Sequence, residues 1–330
     1  MPTDPEVNGV HLRTGAPVVS AVTIGKVIAT TSGDGTLRLF QPNRDPLAFN
    51  VHEGVILSIS REPEYLLTGG EDGRFLRVSL KGEVDEIASF GSKWVDCVAS
   101  DGENFACSSG RVAYVWSPDK SQPVPLEHQS TIGGLAFNAG RNQLAVAHYG
   151  GVTIWTRRRT NWIKSLLSFK GFHASVSFSP DGRFVVSTMQ ENAVHGWRLS
   201  DSADFSMSPY PAKIKSTAWV GNTPYLVTSG ASEAVCWPFK SKDGPMGKGP
   251  ICVAGRKQIV SCVQGFPDVN GVLVGFYDGT VVLSQIKPES DAVVLRNATG
   301  VEVTAIGVTE TGSHLLIGDA EGELLWFKME

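Results

Sequence analysis

Eight times along the chain, a small or polar residue opens a short run in which apolar and polar positions alternate. The openers are Ser20, Ser58, Asp96, Gly134, Ser175, Ser216, Ser261 and Thr304, spaced by 38, 38, 38, 41, 41, 45 and 43 residues. A period of two puts successive side chains on opposite faces, as a β-strand requires. These first runs read SAVTI, SISRE, DCVAS, GLAFN, SVSFS, STAWV, SCVQG and TAIGV. A turn follows each, most clearly Ser179-Pro180-Asp181-Gly182, where Pro presets one backbone angle and Gly takes a left-handed one. Second apolar runs come next, such as KVIATTS and EYLLTGG. Tight acidic-Gly turns then recur at Asp34-Gly35, Asp72-Gly73, Asp278-Gly279 and Glu321-Gly322. Such pairs suit short hairpin loops with positive φ. Third runs such as TLRLF (36–40) and looser fourth runs such as PLAFNVH (46–52) complete the unit.

Four strands in roughly forty residues form one sheet that cannot bury both faces alone. Stacking equivalent sheets about an axis solves that problem. The expected fold is therefore all-β: a single closed β-propeller of eight four-stranded blades over residues 1–330, with seven blades as the alternative count. Blades are expected to start near residues 18, 56, 94, 132, 174, 214, 259 and 302. The last repeat ends with its third strand, ELLWFK (323–328). A spare strand at 7–14 precedes Ser20 by the same offset that DPLAFNVH (45–52) has before Ser58. That N-terminal strand is expected to complete the last blade and close the ring.

The pattern resembles the WD40-repeat family over the whole chain, in a divergent form. The residues that carry the resemblance are His128 with Phe137, the phrase FSPDGRFVVS (178–187), and the Asp-Gly turns before strands such as TLRLF. The resemblance implies a buried tetrad in each blade: His before the first strand, Ser or Thr in the second, Asp in the second turn and Trp in the third. No blade has all four. His52 can join Thr68 and Asp72, but Val78 stands at the Trp position. His128 has Trp155, but Ala145 and Tyr149 fill the other places. His173 stands beside Ser187, Glu191 and Trp197 in sequence terms, yet only five residues before Phe178, which puts it out of register.

Composition narrows the function. Net charge is −4 and the pI about 6.0, unlike a nucleic-acid binder with clustered cations. Two local basic clusters occur, Arg157-Arg158-Arg159 and Lys240 to Lys248, both after third strands, and both read as solvated loop charge or a local anionic contact. No stretch is apolar for long enough to cross a bilayer, and the start MPTDPEVNGVHL has no leader pattern, so a soluble, cytoplasmic protein is expected. The sequon Asn297-Ala298-Thr299 reads as a chance match. Five cysteines show no C-x-x-C spacing, and all but Cys252 fall in expected core strands.

Chemistry is hard to find. The residues expected to line the axis are Ser, Thr and Gly with a single carboxylate, Asp96. A hard cation wants several oxygen ligands, commonly with more than one carboxylate, and paired-acid hydrolysis wants two acids close together. No nucleophile elbow, zincin or phosphate-loop motif occurs, and Gly244-Pro245-Met246-Gly247-Lys248-Gly249 lacks the phosphate-loop spacing. No catalytic residue, metal or cofactor is expected. Trp116, Trp155, Trp197, Trp237 and Trp326 fall near the third-strand Trp position and read as core. Trp94 instead sits where the chain turns into a first strand, and reads either as an exposed anchor or as packing on the next blade.

The leading expectation is a non-catalytic platform that binds a peptide or protein on its narrower face. The candidate contacts are Lys93, Trp94, Arg111, Tyr149, Glu191, Arg256, Phe276 and Tyr277. The alternative is a small-molecule or enzymatic propeller using the channel near Asp96. A third reading is a scaffold that uses its blade rims, with the Lys240–Gly249 insertion as the contact. No nucleic-acid or membrane partner is expected, and the chain is expected to be a monomer or part of a larger complex.

Overall fold

The computed structural model describes residues 9–329, apart from 119, 121, 160, 223 and 268 and the side chain of residue 139. Residues 7 and 8 of the expected N-terminal strand lie outside the described residues. The chain divides into two compact units, one of Met1–Asn50 with Tyr210–Glu330 and one of Val51–Pro209. For brevity these are units 1 and 2.

Unit 1 opens with β1 (Val10–Arg13), then blade 1: β2 (Val18–Ile24), β3 (Val27–Ser32), β4 (Thr36–Phe40) and β5 (Leu47–Asn50). Unit 2 begins with blade 2: β6 (Ile56–Arg61), β7 (Tyr65–Gly70), β8 (Arg74–Ser79) and β9 (Val84–Ser89). Blade 3 holds β10 (Cys97–Ser100), β11 (Phe105–Ser109), β12 (Val112–Trp116) and β13 (Val124–Glu127). Blade 4 holds β14 (Ile132–Asn138), β15 (Gln143–Arg158) and β16 (Asn161–Phe172). Blade 5 holds β17 (Ser177–Phe178), β18 (Phe184–Thr188), β19 (Val194–Arg198) and β20 (Asp204–Met207). Back in unit 1, blade 6 holds β21 (Thr217–Val220), β22 (Tyr225–Thr228), β23 (Ala234–Pro238) and β24 (Ile251–Val253). Blade 7 holds β25 (Val260–Phe266), β26 (Gly271–Phe276), β27 (Val281–Gln285) and β28 (Ala292–Arg296). Blade 8 holds β29 (Val303–Val308), β30 (His314–Asp319) and β31 (Glu323–Lys328).

Every blade is an antiparallel meander, and the N-terminal strand does complete blade 8: β1 pairs with β31, Val10 opposite Trp326 and Arg13 opposite Glu323. Blade 4 has three elements but four strand passes, because β15 reverses at Tyr149-Gly150-Gly151. Gly150 and Gly151 have φ of 91° and 143°, and Arg157 N–H donates to Asn142 O across the hairpin at 2.9 Å. The fold is thus all-β with eight four-stranded blades, and the seven-blade count does not hold. The first strands begin within three residues of the expected positions, at 18, 56, 97, 132, 177, 217, 260 and 303.

Alternation explains the core. Second strands are buried on both faces, as in β7 and β26, because each lies mid-sheet between neighbouring blades. Outer strands are mostly exposed, as in β5 and β9. Within unit 2 the first strands neighbour one another in the order β6, β10, β14, β17; within unit 1 the order is β21, β25, β29, β2. At three repeat openers a small hydroxyl bonds the next blade. Ser58 Oγ accepts from Val98 N–H at 3.0 Å, Ser216 Oγ accepts from Val263 N–H at 3.0 Å, and Ser261 Oγ donates to Val303 O at 2.7 Å. At Ser58, Ser216 and Ser261 the repeat that is easiest to see in the sequence therefore marks bonds between blades.

Candidate partner-binding surface

In unit 2, the turns between second and third strands share one end with the connections that lead into first strands. Backbone bonds tie the two sets together. Val95 N–H donates to Gly70 O at 3.1 Å, Ile132 N–H to Gly110 O at 3.0 Å, and Gln190 N–H to Phe172 O at 3.1 Å. The Asp72-Gly73 turn shows why glycine is needed. Gly73 has φ of 75°, and a Cβ there would lie 2.1 Å from Gly91 O, in the connection leading to Trp94.

Five expected contact residues share this end. Lys93 and Trp94 stand on the connection into β10, Arg111 on the β11–β12 turn, Tyr149 at the β15 reversal and Glu191 on the β18–β19 turn. Trp94 is 52% exposed and Tyr149 57%, while Lys93, Arg111 and Glu191 are also exposed. The segment between Arg111 and Tyr149 is fixed from both sides: His128 N–H donates to Arg111 O at 3.0 Å, and Tyr149 N–H donates to Ser130 Oγ at 3.0 Å. The result is a braced rim on neighbouring blades carrying two large exposed aromatics and a guanidinium.

The other three candidates lie in unit 1, and one is corrected. Phe276 is fully buried in the core with Val260, Val274 and Val282, so it is no contact residue. Phe276 and Tyr277 are adjacent at the end of a strand, where successive side chains point to opposite sides. Tyr277 is half-buried, with Lys215 Nζ 4.6 Å from its ring centre. Lys215 also pairs with Glu302 Oε1 at 2.6 Å. Arg256 is exposed, its guanidinium 5.8 Å from the Phe276 ring centre.

Buried polar networks underlie both surfaces. In blade 2, His52 Nδ1 lies 2.9 Å from Asp72 Oδ1 and Nε2 lies 2.9 Å from Thr68 Oγ1, the three-membered set expected from the sequence. Burial lowers the His52 pKa, against the opposing pull of Asp72. Burial pushes Asp72 up, but bonds from His52 and from the Glu53 and Arg74 N–H groups outweigh it and hold the carboxyl below its ordinary value. In blade 4, Trp155 Nε1–H donates to His128 Nε2 at 3.1 Å, as expected. Burial and the neighbouring His148 bring His128 down to about 4. In blade 5, His173 does join its strand, Nδ1 lying 2.6 Å from Ser187 Oγ. The expectation that it was out of register fails because β17 is only two residues long and the connection before it is short. His195, stacked on Phe169 at 3.5 Å, is held to about 4 by burial despite Asp204.

Blade 6 has no histidine, and sequence reasoning missed what replaces it. Tyr210 Oη lies 2.7 Å from Thr228 Oγ1 and accepts from Trp237 Nε1–H at 2.8 Å. The signal was present: Tyr210 stands 18 residues before Thr228, much as His52 stands 16 before Thr68. Blade 8 uses an ion pair instead, Arg296 Nη2 to Asp319 Oδ2 at 2.7 Å, with both side chains buried.

Unit 1 also contains a cavity of about 430 Å³ lined by Ser20, Ser216, Ser261, Thr304, Lys215 and Glu302 among others. Several of its hydroxyls are engaged in bonds within a blade, Ser20 to Thr31 at 2.9 Å and Thr304 to Gly318 O at 3.4 Å. Asp96 is not among its lining residues; it sits half-buried in unit 2, its pKa raised by burial. Burial pushes the Cys97 and Cys262 thiols up to about 11 and Cys236 to about 12, which removes them as nucleophiles near neutral pH. Among the described residues no three His, Cys, Asp or Glu side chains are grouped to hold a metal ion, and no helix is long and apolar enough to cross a membrane.

These blades are those of a β-propeller, and solved structures share the fold. The computationally designed Ika8 protein superposes with a TM-score of 0.77 at 16% identity, covering 96% of this chain and 98% of that one. The WD40 repeats of RRP9 superpose with a TM-score of 0.61 at 16% identity, covering 83% of this chain and 94% of that one. The likeness to WD40 repeats read from the sequence therefore holds at the level of fold. Among curated proteins, human angio-associated migratory cell protein is 23% identical over 220 residues, 64% of this chain and 48% of that protein. The chicken p21-activated protein kinase-interacting protein 1-like is 31% identical over 74 residues, 22% of this chain and 20% of that protein. The chain thus spans about half, or less, of the curated relatives it matches. No protein-family profile matches it.

Proposed function

We propose that this protein is a non-catalytic interaction platform, and that a peptide or protein partner docks on the turn-bearing end of unit 2. The observation that carries this reading is that Trp94 and Tyr149, each more than half exposed, and the exposed Arg111 stand on the turn-bearing ends of successive blades 3 and 4. Aromatic and Arg side chains dominate binding energy at protein interfaces. The backbone beneath them is braced, so little ordering is lost on binding. One matched relative is, by its name, a kinase-interacting protein, in keeping with this class of role. Lys93 and Glu191 form the polar margin of the site. Arg256 and Tyr277 serve a separate contact on unit 1. Phe276 has no part in either.

Affinity capture with quantitative mass spectrometry tests the proposal. Wild type is compared with Trp94→Ala/Tyr149→Ala and with Arg256→Ala/Tyr277→Ala, each shown to be folded by near-UV circular dichroism. Selective loss of a partner from the first variant is the expected result. A partner retained by it but lost from the second moves the site to unit 1. Retention by both variants refutes this site.

A further inference from the structure

Blade 4 ends in an outer strand unlike the others. β16 is 12 residues long, whereas the outer strands of the other blades have 3 to 6. It pairs on one side only, with β15, out to Arg158 opposite Asn161. A long unpaired edge is a template for another strand, and proteins usually keep such edges short. Here the edge is also sticky: Ile163 is 52% and Leu166 57% exposed, although they sit on opposite faces of the strand. Residues 163–166 are all exposed, while Trp162 and Leu167 on either side of them pack into the core.

Charge selects the occupant. From residue 128 to residue 180 there is no Asp or Glu, in a chain that has 33 of them. The same stretch holds Arg141, Arg157, Arg158, Arg159, Lys164 and Lys170. Arg157 Nη1 is bonded to Asn104 Oδ1 at 2.9 Å. Arg158, Arg159, Lys164 and Lys170 are exposed, and none forms an ion pair among the described residues. Among the described residues, the acids found near it lie beyond its two ends: Glu191 near Gly171, and Asp101, bonded to Asn104 at 3.2 Å.

We infer that the free edge of β16 takes up an extended acidic segment of another protein as an added strand. Main-chain bonds would run along the open edge, alternate apolar side chains would cover Ile163 on one face, and the carboxylates on the other face would meet Lys164, with Arg158 and Arg159 at the end of the strand. A second copy of this chain is disfavoured, since two such edges bring cations against cations. A nucleic acid would use the cations but leave Ile163 and Leu166 and the strand edge unused.

The test uses the full chain and fluorescence anisotropy with a labelled peptide of about ten alternating Glu and Val residues, the length of a strand. Saturable binding is expected, with new hydrogen-exchange protection in residues 161–170. Arg158→Glu/Arg159→Glu/Lys164→Glu should weaken it by about tenfold or more, as reversed interface charges do. The same peptide with Pro at every third position should fail to bind, because Pro cannot form the ladder. The inference is overturned by equal binding of the Pro peptide, by no binding at millimolar peptide, by unchanged binding to the triple variant, by preferential binding of a single-stranded oligonucleotide, or by β16-dependent dimers in sedimentation. Trp94→Ala/Tyr149→Ala should leave peptide binding intact, which separates this edge from the turn-bearing surface.

Discussion

Units 1 and 2 solve the same problem with different chemistry. Each must anchor the connection that enters a blade to a buried polar group inside that blade. Unit 2 does so with imidazoles: His52 on Thr68, His173 on Ser187, and His128 on the Trp155 indole. Unit 1 uses a phenol, Tyr210, in blade 6, and the buried Arg296–Asp319 pair in blade 8. Its two histidines, His11 and His314, are exposed or half-buried. The difference teaches that the blade needs a bridging group of the right reach, not a particular residue. It also gives the units different responses to acid, since an imidazole titrates near neutrality and a phenol or guanidinium does not.

The largest break in this comparison should come from Tyr210→Ala, which removes a buried ring as well as two bonds. A loss of about 3–5 kcal/mol is expected, on the scale of buried aromatic truncations. Tyr210→Phe keeps the ring but leaves the Thr228 hydroxyl and the Trp237 indole short of a partner, for about 1–3 kcal/mol. Urea titration followed by Trp fluorescence ranks the two; equal effects would show that the bonds, not the ring, carry the stability.

Acidification should then separate the units. Burial lowers the pKa values of His52, His128 and His173 below 6.5, to about 4 for His128. The unfolded chain therefore binds more protons between those values and 6.5, so stability is lost as pH falls through that window. Hydrogen exchange at pH 7 and pH 5, corrected for intrinsic rates, should show unit 2 loosening more than unit 1. Uniform loosening would contradict the imidazole account. Tyr210→His sharpens the same point: blade 6 should become acid-sensitive, with its exchange now tracking that of blade 2. The smallest effect on stability should come from Trp94→Ala. An exposed position should shift the midpoint by less than about 0.5 kcal/mol. A larger shift would mean that Trp94 packs on its neighbour after all.

Local order was legible where a rule of spacing governs it. The period near forty marked eight first strands, and the Asp-Gly pairs marked turns whose glycines indeed have φ of 80°, 75° and 89° at Gly35, Gly73 and Gly279. The His52–Thr68–Asp72 set followed from offsets within one blade. Of the candidate contacts, Trp94 and Tyr149 in unit 2 are exposed, whereas Phe276 in unit 1 is core. A strand register error of one residue exchanges inside for outside, and sequence does not resolve it at a strand end. Tyr210 was missed because its role depends on reach to Thr228 and Trp237 and not on residue type.

What the sequence by itself determined was the all-β class, a repeat that favoured eight blades over seven, and the pairing of the N-terminal strand with the last blade, because these follow from alternation and repeat length. What only the tertiary structure decided was which side chains meet. The openers Ser58, Ser216 and Ser261 bond the next blade's backbone, Arg296 finds Asp319, and β16 keeps one edge open over 12 residues. Those outcomes depend on distances between separate strands, and a one-dimensional pattern contains the period of a blade but not the contacts between blades.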